Sequence, residues 1–240
     1  MDGTRYRRID HDLQGDLSMN LFEKQIHHYA ALAALLAGVY AFSDTATLAG
    51  QLYGISTSTW LGLSIAVPVL HQVYVWLIWR TQLKYLLITR IFGEKGFIVY
   101  TVGFTVLFAS RLILIIILSW SNKDTIALNP VFAYALSFVF TLLSAYLFYS
   151  VRTDFGYKRA YGADHFDRSY RLKPFVREGI FRFTGNAMYT FGFLILWVPG
   201  LIFFSKAALL AAGFNHTYIW VHYYTTEVPD IRHIYGNRNN

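Results

Sequence analysis

Six stretches of roughly 20 mainly apolar residues follow one another along the chain, at about 29–49, 60–79, 97–120, 130–151, 187–204 and 207–224. A helix rising 1.5 Å per residue needs about that length to cross ~30 Å of hydrocarbon. The pattern predicts an all-α, polytopic integral membrane protein of about six helical segments. Ahead of them, residues 1–28 form a polar arm in which Leu17, Leu21, Phe22, Ile26 and Tyr29 recur at helical spacing, predicting a helix that lies at the interface. Trp60, Trp76, Trp79 and Trp120 fall near predicted span ends, where aromatic belts sit. Residues 152–179, RTDFGYKRAYGADHFDRSYRLKPFVREG, are the longest hydrophilic segment and too long for a simple connection. Only Ser205 and Lys206 separate the last two apolar segments, which predicts a closing helical hairpin, and Pro199-Gly200 predicts a kink in its first arm. The chain divides into an interfacial arm (1–28), a four-helix membrane body (29–151), and a loop, hairpin and tail (152–240). No repeat or low-complexity linker marks a second soluble domain.

Composition agrees with the pattern: 55% of the 240 residues are hydrophobic and 15% are charged, against about 25% charged in soluble domains. A net charge of +7 raises the question of nucleic acid, and the placement of the basic residues answers it. Arg5, Arg7, Arg8 and Lys24 precede the first span, and Arg80, Lys84, Arg90 and Lys95 lie between the second and third. Arg152, Lys158, Arg159, Arg168, Arg171, Lys173, Arg177 and Arg182 follow the fourth, and Arg232 and Arg238 lie in the tail; the opposite side holds only Lys123 and Lys206. This positive-inside bias places both termini and the two long loops in the cytoplasm. It makes the membrane, not nucleic acid, the expected partner. The absence of cysteine excludes a disulfide framework, a thiolate metal site and a cysteine nucleophile. The polar start does not read as a secretory signal, so the first span is expected to act as its own targeting signal.

Ionisable groups inside apolar spans are costly and are functional candidates. His71 and Gln72 fall in the second span, Arg111 in the third, and Asn215, His216 and His222 in the last. His71 follows Pro68 by three residues, and its expected role is to bond a carbonyl freed by that proline. Arg111 is weighed equally between a structural partner, a backbone carbonyl or tyrosine hydroxyl, and a functional one. In the last segment Asn215, Tyr218 and His222 share a face, and the helix runs on into Thr226, Glu227 and Asp230. Carboxylates at a helix C-terminus oppose the helix dipole and call for a cation, either Arg232 or a bound one. Asn215-His216-Thr217 fits a glycosylation sequon but lies in or beside hydrocarbon.

Gly179, Phe181-Arg182-Phe183, Asn186, Met188-Tyr189 and Gly192, followed by a hairpin and then Glu227 and Tyr235-Gly236, give residues 150–236 a specific pattern. In this pattern the chain resembles the integral-membrane methyltransferases typified by phosphatidylethanolamine N-methyltransferase and isoprenylcysteine carboxyl methyltransferase. Asn186-x-Met188-Tyr189 is closer to the phospholipid branch. Gly185, Ala187 and Thr226 depart from that family's Arg, Pro and first Glu.

The resemblance implies S-adenosylmethionine as cofactor and a lipid or lipidated acceptor entering from the bilayer, first among them a phospholipid head-group amine. It implies a site at the cytoplasmic face. Cofactor-binding candidates are Arg182, Gly185, Asn186, Met188, Tyr189, Tyr223 and Glu227. Gly185 permits close backbone approach, and Asn186 is a candidate N-cap whose helix amides favour a carboxylate. Tyr189, Trp220, Tyr223 and Tyr224 offer aromatic faces to a sulfonium. His222, Glu227 and Asp230 remain open as the catalytic proton acceptor. No G-x-G-x-x-G follows a strand, so a Rossmann-type site is not expected, and no metal is implied. Alternatives are an NADPH-dependent membrane reductase, a haem or quinone protein using His71, His216 and His222, and a non-catalytic methyltransferase relative.

Overall fold

The computed structural model describes residues 16–236, apart from the side chain of Arg171. Arg5, Arg7, Arg8 and Arg238, and the first half of the expected arm, lie outside the described residues. Eleven α-helices follow in chain order among them: α1 Gln25–Phe42, α2 Thr45–Leu48, α3 Thr57–Tyr85, α4 Leu87–Phe92, α5 Gly96–Ser121, α6 Pro130–Ser150, α7 Tyr157–Ala160, α8 Ala187–Phe191, α9 Trp197–Ile202, α10 Lys206–His222 and α11 Val228–Tyr235. Among the described residues three stretches are long and apolar enough to cross a membrane: Thr57–Tyr85, Leu87–Ser121 and Pro130–Phe155. The protein is therefore a helical membrane protein. A two-stranded hairpin, Gln51–Leu52 with Ile55–Ser56, is the described β-structure, closed by Tyr53 and Gly54 at positive φ.

α3 packs along α5, and α10 packs against α1, α3 and α5, so α10 is the centre of the bundle. Its inner face is small (Ala207, Ala208, Ala211 and Ala212, all fully buried), which lets neighbouring backbones approach closely. The chain from Ala187 to Ile202 is not one helix. Residues Gly192–Leu196 form a 3-10 turn between α8 and α9. Pro199 lacks the N–H that would bond the Ile195 carbonyl, and the tighter turn sits where that bond is missing. α9 then turns through Phe203–Ser205 and packs back on α10.

The described part of the N-terminal arm differs from expectation. Leu21–Lys24 are turn, and helix begins only at Gln25, because Lys24 adopts a left-handed φ of 58°. The carbonyls of Leu21 and Glu23 instead accept from Arg80 Nη1 at 2.9 and 2.8 Å. Asp16, Arg80, the 152–186 loop and α11 all gather at one end of the bundle, where Asp16 N donates to Leu83 O and His233 meets Asp16.

Candidate functional site

The site is built where the last helix loosens. After α10, Tyr223–Glu227 form a π turn, and Pro229 follows. Pro229 has no N–H for the Thr225 carbonyl, and that oxygen accepts instead from Arg80 Nη2 at 3.1 Å and Gln25 Nε2 at 3.3 Å. The widened turn carries Glu227 toward α8, where the Tyr189 hydroxyl donates to its carboxyl. This contact spans 38 residues and joins the two separated parts of the sequence pattern. The Tyr189 ring lies 5.4 Å from Tyr223 and 5.9 Å from Trp220, and Tyr224 packs on both, forming an aromatic cluster beside the carboxyl. Burial pushes the Glu227 carboxyl up to about 7, while the Tyr189 hydrogen bond pulls the other way.

A cavity of about 200 Å³ opens behind Tyr189, between α3, α5, α6 and the closing hairpin. Met188, Tyr189 and His222 line it, together with His71, Gln72 and Arg111. His222 is buried and its Nδ1 has no hydrogen-bond partner. Gly185, Asn186, Tyr223 and Glu227 lie beyond its wall, with the Asn186 amide facing the Tyr223 hydroxyl.

Several expectations change. Asn186 holds the N-cap position of α8 but makes no side-chain cap; its own N–H donates to Thr184 Oγ1 at 3.2 Å. α8 is only five residues long before the 3-10 turn, too short to present a developed helix dipole. Gly185 is not at positive φ, and a Cβ there would meet nothing within 4 Å, so this turn does not itself require glycine. Arg182 is exposed and lies over Phe183, away from the cavity. Asp230 is fully buried and bound to Arg80 Nε at 3.0 Å, which answers its need for a cation in place of Arg232. His71 does not cap the carbonyl freed by Pro68. That carbonyl, Ser64 O, accepts from Asn215 Nδ2 at 3.3 Å. His216 accepts from Trp197 Nε1 at 3.2 Å.

Sequence reasoning passed over a polar cluster under the site. Asp164 and His165 come from the 152–179 loop: His165 Nδ1 meets Asp164 Oδ1 at 3.1 Å, its Nε2 faces Asp230 Oδ2 at 3.5 Å, and its ring stacks on Trp79 at 4.0 Å. Tyr235 donates to Asp164 Oδ2 at 2.9 Å. Burial alone would lower His165, but Asp164 and Asp230 outweigh it and raise it to about 9. Burial likewise opposes the Asp164 charge, and His165 overcomes it, holding that carboxyl below its ordinary value. An Asp-His pair inside a loop where basic residues outnumber acidic ones was the available signal.

Residues 132–238 match the phospholipid methyltransferase family, the family that the sequence pattern pointed to. The match runs from α6 to just past α11 and so contains the Tyr189–Glu227 contact. No curated protein and no solved structure matches the chain. The family match supports a membrane methyltransferase acting on a lipid.

Proposed function

We propose that the chain catalyses S-adenosylmethionine-dependent methyl transfer to a membrane lipid, a phospholipid head-group amine first, at the end of the bundle that holds the 152–186 loop. The Tyr189–Glu227 hydrogen bond carries this reading, because it unites both parts of the family pattern beside a cavity that lipid-facing helices enclose. The basic loop favours a cytoplasmic face for this end, and residues 152–240 act as the cofactor unit on a four-helix body.

The residues suit the cofactor. Glu227, once ionised, offers a partly desolvated negative charge, and Tyr189, Trp220 and Tyr223 offer aromatic faces worth ~0.5 to 2 kcal/mol each to a cation. S-adenosylmethionine supplies an electrophilic methyl group when bound. The chain then has to align the acceptor, exclude water and hold a proton. His222 is the best-placed group for the last task, with an unpartnered Nδ1 at the cavity wall. Asp230 is engaged by Arg80 and serves to position the helix.

Incubating membranes that contain the protein with methyl-labelled S-adenosylmethionine should label an extractable phospholipid. Glu227→Ala should weaken donor binding by roughly tenfold or more, as expected for losing a charge-assisted contact, and Tyr189→Phe by less. His222→Leu should lower turnover with donor affinity kept. Wild-type donor affinity in folded Glu227→Ala protein overturns the site assignment.

A further inference from the structure

Methyl transfer does not account for the deep end of the cavity. Arg111 is 2% exposed, and it uses only Nη2, which donates to Pro68 O at 3.4 Å. Its Nε and Nη1 have no partner, and its guanidinium faces the Phe193 ring at 5.6 Å. Beside it His71, 3% exposed, has both ring nitrogens unpartnered. Both side chains line the cavity. Among the described residues no carboxylate pairs with Arg111. An idle guanidinium in hydrocarbon is among the costliest arrangements a chain can keep, and an anion arriving in the cavity would relieve it.

The cavity also reaches the bilayer. α5 and α6 are consecutive but hardly touch, because the first arm of the hairpin packs on both of them. Phe108 of α5 and Phe148 of α6 line the cavity, and each also faces outward, at 39% and 41% exposure. The volume of about 200 Å³ is below the ~300 to 1,000 Å³ of pockets that enclose a drug-sized ligand. It suits a head group with the first part of a chain, the remainder leaving between the two helices.

We propose that this cavity is a lipid-accessible oxyanion site, in which Arg111 and His71 bind the phosphodiester or carboxylate head of an amphiphile whose hydrocarbon passes out between Phe108 and Phe148. The site needs neither the methyl donor nor Glu227, so it is testable apart from methyl transfer. Purified full-length protein in neutral detergent, without methyl donor, is titrated by calorimetry with dihexanoylphosphatidylglycerol, octanoate and uncharged dioctanoylglycerol. The phosphatidylglycerol carries no amine, so its binding is not that of a methyl acceptor. At least one anion should bind about tenfold tighter than dioctanoylglycerol, the scale of one charge-assisted contact. Preference for the phosphodiester alone assigns the site to phospholipid, preference for octanoate alone to fatty acid, and equal preference to the shared oxyanion. Arg111→Gln should abolish the preference and Arg111→Lys keep part of it. His71→Leu, which breaks no hydrogen bond, should reduce it several-fold at an unchanged melting temperature, and it decides the matter if Arg111→Gln fails to fold. No preference for either anion in the wild type, or a wild-type preference in folded Arg111→Gln, overturns the proposal.

Discussion

The Glu227 carboxyl is raised by burial to about 7, from 4.5 in an unfolded chain. Between those values the native state binds the extra proton, so its stability falls as pH rises from about 4.5 to about 7 and levels off above. Glu227→Gln should remove that fall and melt higher than the wild type above pH 7, as thermal unfolding in detergent from pH 4.5 to 8 would show; parallel curves would contradict the raised value. Donor binding should run the other way, rising in the wild type as Glu227 ionises through about pH 7 and staying weak in the Gln variant. Glu227 and Tyr189 were legible in the sequence because both belong to a spaced pattern, although their mutual contact was not. Arg80 and Asp230 were not read as a pair. Their meaning depends on a contact across 150 residues, which no local spacing carries.

At the scale of elements, the three internal prolines show how far pattern reading extends. Each removes an N–H and frees a carbonyl four residues earlier. The sequence marks where this happens but not what answers it: Asn215 at Pro68, a 3-10 turn before Pro199, and Arg80 with Gln25 before Pro229. The long apolar runs gave α5, α6 and the start of α3 to within a few residues, since burial in lipid leaves helix as the way to satisfy a lone span; α3 itself runs on past the expected end at 79 to Tyr85, carrying Arg80 and Lys84 in the helix. The run at 187–204 did not resolve, because Gly192 and Pro199 weaken the helix from within. α9 meets α10 at Gly200, where a Cβ would come within 2.9 Å of the Leu209 backbone nitrogen. Gly200→Val should therefore push the hairpin apart and cost about 1 to 3 kcal/mol. A melting temperature within a degree of the wild type would show that the hairpin tolerates separation.

Across the whole molecule, two buried polar side chains close the bundle at opposite ends. At the end with the hairpin turn, Asn122 donates to Ala46 O and Ala49 O at 2.9 and 2.8 Å and accepts from Ala207 N at 2.9 Å and Ser205 Oγ at 3.1 Å. It thereby ties three connections together. At the site end, Arg80 binds Leu21 O, Glu23 O, Thr225 O and Asp230, joining the N-terminal arm to α11. Because the bonds at each end share no residue, the two clamps should act independently. Asn122→Ala strands several polar groups, at about 1 to 3 kcal/mol for each that stays buried. Arg80→Met leaves the Asp230 carboxylate with only the longer His165 contact at 3.5 Å, at up to about 3 to 5 kcal/mol, and adding Asp230→Asn should recover part of that loss. Hydrogen exchange separates the two. Asn122→Ala should speed exchange in residues 43–57 and 203–207, and Arg80→Met in residues 16–25 and 225–236, where the donor site is proposed to lie. Donor affinity should follow the second variant and not the first; faster exchange at both ends in either variant would mean that the bundle opens as one unit.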